Sequence, residues 1–473
     1  MDRRSMRHWL LSLALVGLLL PNCSSDEVAP KSSDVVEPSE TVEHPDIHDD
    51  PSDTNEPDAT VENDAAAPET VTPPDAEADS DEPPTDELLE TRLDPVCGPE
   101  FCAAGPEHAP DPVLPGPFPV GVITVDLYDE AQVNDDGSPR WLRTEIWYPT
   151  TDEYADGPFV HYNLIDDAPP ELEELLAGLA MDPLPTIAVR DTPVRQSDGP
   201  YPLVVFSHGA FGVRFQNAFQ TVHLASHGYI VVSPDHQLNT TWDYLLHGYD
   251  PVAVAGAALP RIKDGGFLID WMFAENDDSD SMFHEQVATR RVGVTGHSFG
   301  GFLSMVLGGI DERVSAVIPL APAGTVAGIW PGTNLENYRV PCLIMGGDDD
   351  RTLQFDIDMW QPYERMAERK AFLRVIRGGH FSFTDMCSVD VATLAEDLGW
   401  DDARHALSDG CGDENLDPAL VRELTNHYGT ALFNVFLRRS LGSRTYLDAS
   451  HLDASLDGEV EYHEAFDLAD WPE

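Results

Sequence analysis

Gly296-His297-Ser298-Phe299-Gly300 is the stretch on which the reading of this 473-residue chain turns. A β-branched run, Arg291-Val292-Gly293-Val294-Thr295, leads into it, and a small-residue apolar run, Gly301-Phe302-Leu303-Ser304-Met305-Val306-Leu307, follows. Strand, sharp turn and helix are the context in which G-x-S-x-G presents a serine as a nucleophile. The two glycines answer crowding, because the turn is strained and a Cβ two residues before or after the serine would clash. The turn lifts the Ser298 hydroxyl clear of the sheet, and the helix N-terminus behind it favours developing negative charge.

Outward from the elbow, the apolar runs at 202–206, 229–233, 314–320, 340–345 and 372–376 predict buried strands. Helices fit 213–227, 259–275, 357–369 and 417–438. The alternating stretches 120–128 and 140–148 predict paired strands joined at Asn134-Asp135-Asp136-Gly137. Residues 151–199 read as irregular apart from a helical piece near 171–179, and 234–258 as one long loop of the kind that shapes binding pockets. Apolar strands alternating with helices predict an α/β fold with a mostly parallel sheet covered on both faces.

A serine hydroxyl needs a base within reach and a third group to orient that base. With a serine elbow of this kind the chain order is Ser, acid, His. The first acidic cluster at a strand end after Ser298 is Gly346-Gly347-Asp348-Asp349-Asp350, and the first histidine beyond it is His380, in Arg377-Gly378-Gly379-His380-Phe381. Order alone leaves the choice among the three aspartates open. His297 lies inside the elbow with its side chain directed away from Ser298, and is expected to bond locally. The loop Ser207-His208-Gly209-Ala210 follows a buried strand and is expected to give the Ala210 N–H as one oxyanion donor, with the Phe299 N–H as the other.

The net charge of −58 repels nucleic acid and anionic membrane surfaces, so no nucleic-acid partner is expected. Arg3, Arg4 and Arg7 followed by the apolar run 9–20 predict an export signal over 1–23; the run is too short for an ordinary membrane span. Residues 24–95 hold 24 acidic and 2 basic residues, eleven prolines and no Phe, Tyr, Trp or Met, which predicts a disordered, extended tether. The folded domain is expected over 96–442, with an acidic extension over 443–473. In the oxidising compartment that export implies, Cys97 could pair with Cys102 and Cys387 with Cys411, while Cys342 sits in an apolar strand as a buried thiol. No Cys/His spacing reads as a zinc site, and no metal or cofactor is expected.

Two resemblances extend this reading. Leu20-Pro21-Asn22-Cys23 resembles a bacterial lipoprotein signal, which implies lipidation of Cys23 and anchorage in the cell envelope; ordinary signal cleavage and secretion is the alternative. Phe206-Ser207-His208-Gly209, Leu224-Ala225-Ser226-His227-Gly228-Tyr229 and Gly296-His297-Ser298-Phe299-Gly300-Gly301 resemble the platelet-activating-factor acetylhydrolase family. The segments 318–322 and 343–350 and Gly379-His380-Phe381 look closer to bacterial polyesterase-lipase-cutinase and dienelactone hydrolase-like enzymes. Together they imply the α/β-hydrolase fold over about 118–440 and a cofactor-free serine esterase acting on small-molecule or lipid esters. The acetylhydrolases place their acid directly after the strand following the elbow, where this chain reads Leu320-Ala321-Pro322. The cutinase-like alignment selects Asp350 instead, which implies a Ser298, Asp350, His380 triad. That group carries Trp where this chain has Ala323 and an aromatic where it has Ala210, which weighs against polyester hydrolysis. The acetylhydrolase resemblance implies short acyl groups. The same triad acting on a lactone, a polyester, an amide or a peptide, or an idle fold used for surface binding, are the other readings.

Overall fold

The computed structural model describes residues 110–466 except 135, 390–407, 452–455 and 457. Among them lies an 11-stranded sheet. In chain order its strands are β1 Val120–Val133, β2 Pro139–Pro149, β3 Phe159–Tyr162, β4 Leu184–Arg190, β5 Tyr201–Ser207 and β6 Ile230–Pro234. They continue with β7 Val287–His297, β8 Val314–Leu320, β9 Cys342–Gly347, β10 Lys370–Val375 and β11 Val460–Ala465. Across the sheet the order is β11-β10-β9-β8-β7-β5-β6-β2-β1-β4-β3. From β6 to β10 all pairs are parallel.

The central strands are apolar because helices cover both faces. Leu203 to Phe206 and Ile230 to Val232 are essentially inaccessible. Away from the centre the pattern relaxes to alternation: Leu127 and Asp129 of β1 are buried while Tyr128 between them is exposed. The helices are α1 Glu173–Leu176, α2 Ala218–Ser226, α3 Thr241–His247, α4 Pro251–Gly256 and α5 Ala258–Asp277, then α6 Phe299–Ile310, α7 Gly324–Gly328, α8 Gln361–Arg365 and α9 Pro418–Phe436. None of the described helices is long and apolar enough to cross a membrane.

Three expectations are corrected. Residues 151–199 are not irregular: β3 and β4 extend the sheet past β1. Both strands are half-exposed and β4 begins Leu-Pro-Thr, so no continuous apolar run marked them. The long loop 234–258 contains α3 and α4, each started by a side-chain cap, Thr240 and Asp250. Neither buries a residue fully, so no apolar stripe marks them in the sequence. The segment 443–473 is not merely an appended tail. Its β11 pairs antiparallel with β10 from Lys370↔Ala465 to Val375↔Val460. Its acidic residues Glu461 and Glu464 sit on an edge strand, where water reaches one side.

The chain runs from β5 to β6 on one side and returns to β7 on the other. The β5/β7 boundary is therefore the point where strand order reverses. An open α/β sheet forms its ligand crevice outside the carboxyl ends of the strands at such a point.

Candidate active site

Ser298 follows β7 directly and caps α6. Its backbone, at φ 56° and ψ −111°, lies in a region a residue with a Cβ enters at a cost of roughly 1–3 kcal/mol. Neighbouring structure imposes it: the Ser298 N–H donates to the Leu320 carbonyl at 2.8 Å, and its carbonyl accepts from the Phe302 N–H at 3.0 Å. The two flanking glycines answer one and the same obstacle. A Cβ on Gly296 would lie 2.5 Å from the Ser207 carbonyl oxygen, and one on Gly300 only 1.8 Å from it. The elbow is thus pressed against the end of β5, with Ser298 half-buried at the surface.

The three consecutive aspartates diverge. Asp348 accepts from the Arg377 N–H at 2.7 Å and from Arg374 at 3.0 Å. Asp349 faces Arg351 at 2.7 Å. Asp350 turns inward: its Oδ1 accepts from the N–H groups of Thr352 and Leu353 at 2.9 and 2.7 Å, and its Oδ2 from His380 Nδ1 at 2.7 Å. Both side chains are shielded, with 3% of His380 and 0% of Asp350 accessible. Burial opposes the imidazolium, but the Asp350 charge and hydrogen bond, together with the charges of Asp409 and Asp358, outweigh it and raise the His380 pKa above its ordinary 6.5. With Nδ1–H committed to Asp350, Nε2 is left as the proton acceptor.

The Ser207–Ala210 loop abuts the elbow, since a Cβ on Gly209 would lie 3.5 Å from Ser298 Cβ. No hydrogen bond among the described residues engages the Ala210 or Phe299 N–H. Gln216 ties this loop to the histidine. Its Oε1 accepts from the Gly209 N–H at 2.9 Å, and its amide donates to His297 Nδ1 at 2.9 Å. His297 Nε2–H then donates to the His380 carbonyl at 2.9 Å. Burial, then the neighbouring His380, holds the His297 pKa well below 6.5, so it is a neutral bridge between the elbow and the His380 loop.

The segment 408–411 closes the other side. Asp409 accepts from the Arg351 N–H at 3.0 Å and from the Thr352 hydroxyl at 2.8 Å, and its carbonyl accepts from the Phe381 N–H at 2.8 Å. Cys387 and Cys411 are joined as a disulfide, and Cys342 is a buried free thiol.

Comparison with known proteins adds sequence and fold relatives. Residues 193–400 match a family described as PET hydrolase-like, and 127–248 match platelet-activating factor acetylhydrolase, isoform II. A ferulic acid esterase from Streptomyces cinnamoneus superposes with a TM-score of 0.52 at 23% identity, covering 73% of this chain and 97% of that one. This chain has the α/β-hydrolase fold. Cutinase 2 of Thermobifida cellulosilytica is 30% identical over 151 residues, 32% of this chain and 48% of the cutinase. Cutinase est1 of Thermobifida alba is 26% identical over 185 residues, 38% of this chain and 54% of that protein. The chain therefore spans about half the length of the curated relatives it matches.

The fold brings Ser298, His380, Asp350, Ala210 and Phe299 to one end of the sheet, on loops that follow β5, β7, β9 and β10. Cys23, Cys97, Cys102 and the tether 24–95 lie outside the described residues. Gln216 and Asp409 had no motif to announce them. Buried Arg261 and Asp264 did carry a signal: on α5 they share a face with Leu268 and Met272, two charges in an otherwise apolar stripe.

Proposed function

We propose that this α/β-hydrolase is a serine carboxylic-ester hydrolase working through an acyl-enzyme. Ser298 attacks the ester carbonyl while His380 Nε2 takes its proton. Asp350 keeps the imidazole in the required tautomer and stabilises its cation. The N–H groups of Ala210 and Phe299 receive the oxyanion, His380 returns the proton to the leaving alcohol, and water repeats the sequence to release the acid. The observation that carries this reading is the buried His380–Asp350 pair, tied through the His297 bridge to an elbow whose serine is held at φ 56° and which adjoins two uncommitted N–H groups.

The acetylhydrolase match over 127–248 favours short acyl groups on small or lipid esters. The PET hydrolase-like match over 193–400 and the cutinase relatives favour a polyester as second reading. Ala210 and Ala323 argue against it, since neither offers a ring to clasp an aromatic unit. The decisive experiment treats the purified protein with a fluorophosphonate at neutral pH. One adduct per chain on Ser298, absent from Ser298→Ala, is the expected result; no adduct on the wild type overturns the reading. A p-nitrophenyl ester series should then favour acetate to butyrate, and a maximum at long chains or on polyester film would overturn the short-acyl assignment. Export and a lipid anchor at Cys23 complete the proposal, tested by incorporation of a palmitate analogue into the wild type and not into Cys23→Ser.

A further inference from the structure

Behind the Ser207–Ala210 loop lies a buried polar cluster that the triad does not use. Arg261, on the first turn of α5, is wholly inaccessible. Its Nη2 donates to the Ser207 hydroxyl at 2.9 Å and to the His208 carbonyl, and its Nη1 donates to Asn239 Oδ1 at 2.7 Å and to the Gly209 carbonyl at 3.4 Å. On its other side the guanidinium carbon stands 4.6 Å from the centre of the Phe299 ring. It therefore touches both walls of the candidate oxyanion hole, through the carbonyl of the Gly209–Ala210 peptide and through the residue that carries the second N–H.

The neighbouring carboxylate does not pair with it. Asp264, one turn along α5, is held by Arg140 Nε and Nη2 at 2.5 and 2.7 Å, by Gln132 at 3.0 Å and by His236 Nδ1 at 2.7 Å. His236 Nε2 in turn accepts from the Ser207 hydroxyl at 2.8 Å. His208 accepts the His236 N–H at Nε2 (3.1 Å) and donates from Nδ1 to the Gly209 carbonyl at 2.6 Å. Both histidines are neutral, because burial and the nearby arginines hold their pKa values well below 6.5. Arg140 takes the Asp264 carboxylate, and Asp129, the other buried carboxylate of the network, binds Gln132 at 2.9 Å, so the Arg261 fork meets only neutral oxygens. Burial brings the Arg261 pKa down to about 9, which still leaves it charged at neutral pH.

As pure scaffolding this is a costly arrangement, since a desolvated cation on neutral oxygens is readily replaced by packed apolar side chains. Its location gives the charge a use. A peptide whose carbonyl is bound by a cation is polarised and donates more strongly from its N–H, and a fixed positive charge in a water-poor site stabilises an anion that appears only in the transition state.

We infer that Arg261 is a positioning residue of the oxyanion hole, its fork fixing the His208 and Gly209 carbonyls and its charge supporting the oxyanion from behind. The inference rests on the serine-hydrolase reading, and the experiment separates the two. The wild type, Arg261→Met and Arg261→Lys are first titrated with the fluorophosphonate, and kcat and KM for p-nitrophenyl butyrate are then measured per titrated site at pH 7. Arg261→Met should keep KM within about threefold and lose about 10- to 100-fold in kcat, less than the loss of a direct oxyanion donor. Arg261→Lys, which keeps the charge but cannot span both carbonyls, should fall between. A wild-type kcat in Arg261→Met overturns the inference, as does a loss confined to KM or to the number of titratable sites. Should Arg261→Met not fold, Arg261→Lys decides: lowered kcat at unchanged KM supports the fork, and wild-type kcat overturns it. A wild type that takes no label at Ser298 sinks the hydrolase reading itself, a different result from a labelled enzyme indifferent to Arg261.

Discussion

His380 is the residue whose environment most directly sets behaviour. In the proposed mechanism it must be neutral to accept the Ser298 proton; burial lowers its pKa, but Asp350, aided by Asp409 and Asp358, raises it above 6.5. Activity should therefore rise with pH along a limb centred above 6.5, read from the pH profile of kcat/KM. Asp350→Asn removes the largest of the charges that raise the pKa and leaves the opposing burial. That limb should move to lower pH while the plateau drops about 10⁴-fold, the order seen when a buried triad carboxylate is neutralised. The same substitution at Asp348 or Asp349, whose oxygens face arginines, should leave turnover within about threefold of wild type. Linkage carries the opposite sign for stability. A raised folded pKa contributes fully below pH 6.5, and the contribution is lost as pH rises through the folded value. The aspartates also mark what a string of residues conceals: three identical neighbours are chemically equivalent until β9 ends and the backbone sends each in its own direction.

At the scale of elements, the elbow and the clasp around His380 lend themselves to tests. Gly300→Ala places a methyl group 1.8 Å from the Ser207 carbonyl oxygen, which no side-chain rearrangement can relieve. The expected result is loss of soluble protein or of fluorophosphonate labelling, against a wild-type control. Replacing Cys387 and Cys411 together by Ser opens a link between residues 24 apart in sequence. It should cost about 3 kcal/mol, checked by the urea midpoint and slope of unfolding. Because the same segment holds Thr352 and the Phe381 N–H through Asp409, kcat should fall as well. The G-x-S-x-G elbow was legible because its constraint is local, one carbonyl against two missing Cβ atoms. The Gln216–His297–His380 bridge was not, since its members lie 81 and 83 residues apart and meet only in the folded chain.

For the whole molecule, β11 is the part whose removal is most telling. It covers the free edge of β10, the strand that delivers His380, and its Tyr462 stacks on Tyr428 of α9 with ring centres 4.5 Å apart. Deleting 459–473 should lower the urea midpoint and promote self-association through the bared edge, visible by size-exclusion chromatography. The sequence by itself determined the parallel core, the elbow and the order Ser298, acid, His380, because each is written in short-range patterns: apolar runs long enough to be buried on both sides, glycines at fixed offsets, and polar residues at strand ends. It left β3, β4 and β11 unmarked, because half-exposed edge strands need no continuous apolar run. Only the tertiary structure showed Asp350, the aspartate that the cutinase-like resemblance selected, in contact with His380, gave His297 its two partners, and set a buried arginine on α5 behind the loop that follows β5. Those are questions of direction and distance between remote segments. Packing answers them by bringing β5, α5 and the elbow to one end of the sheet.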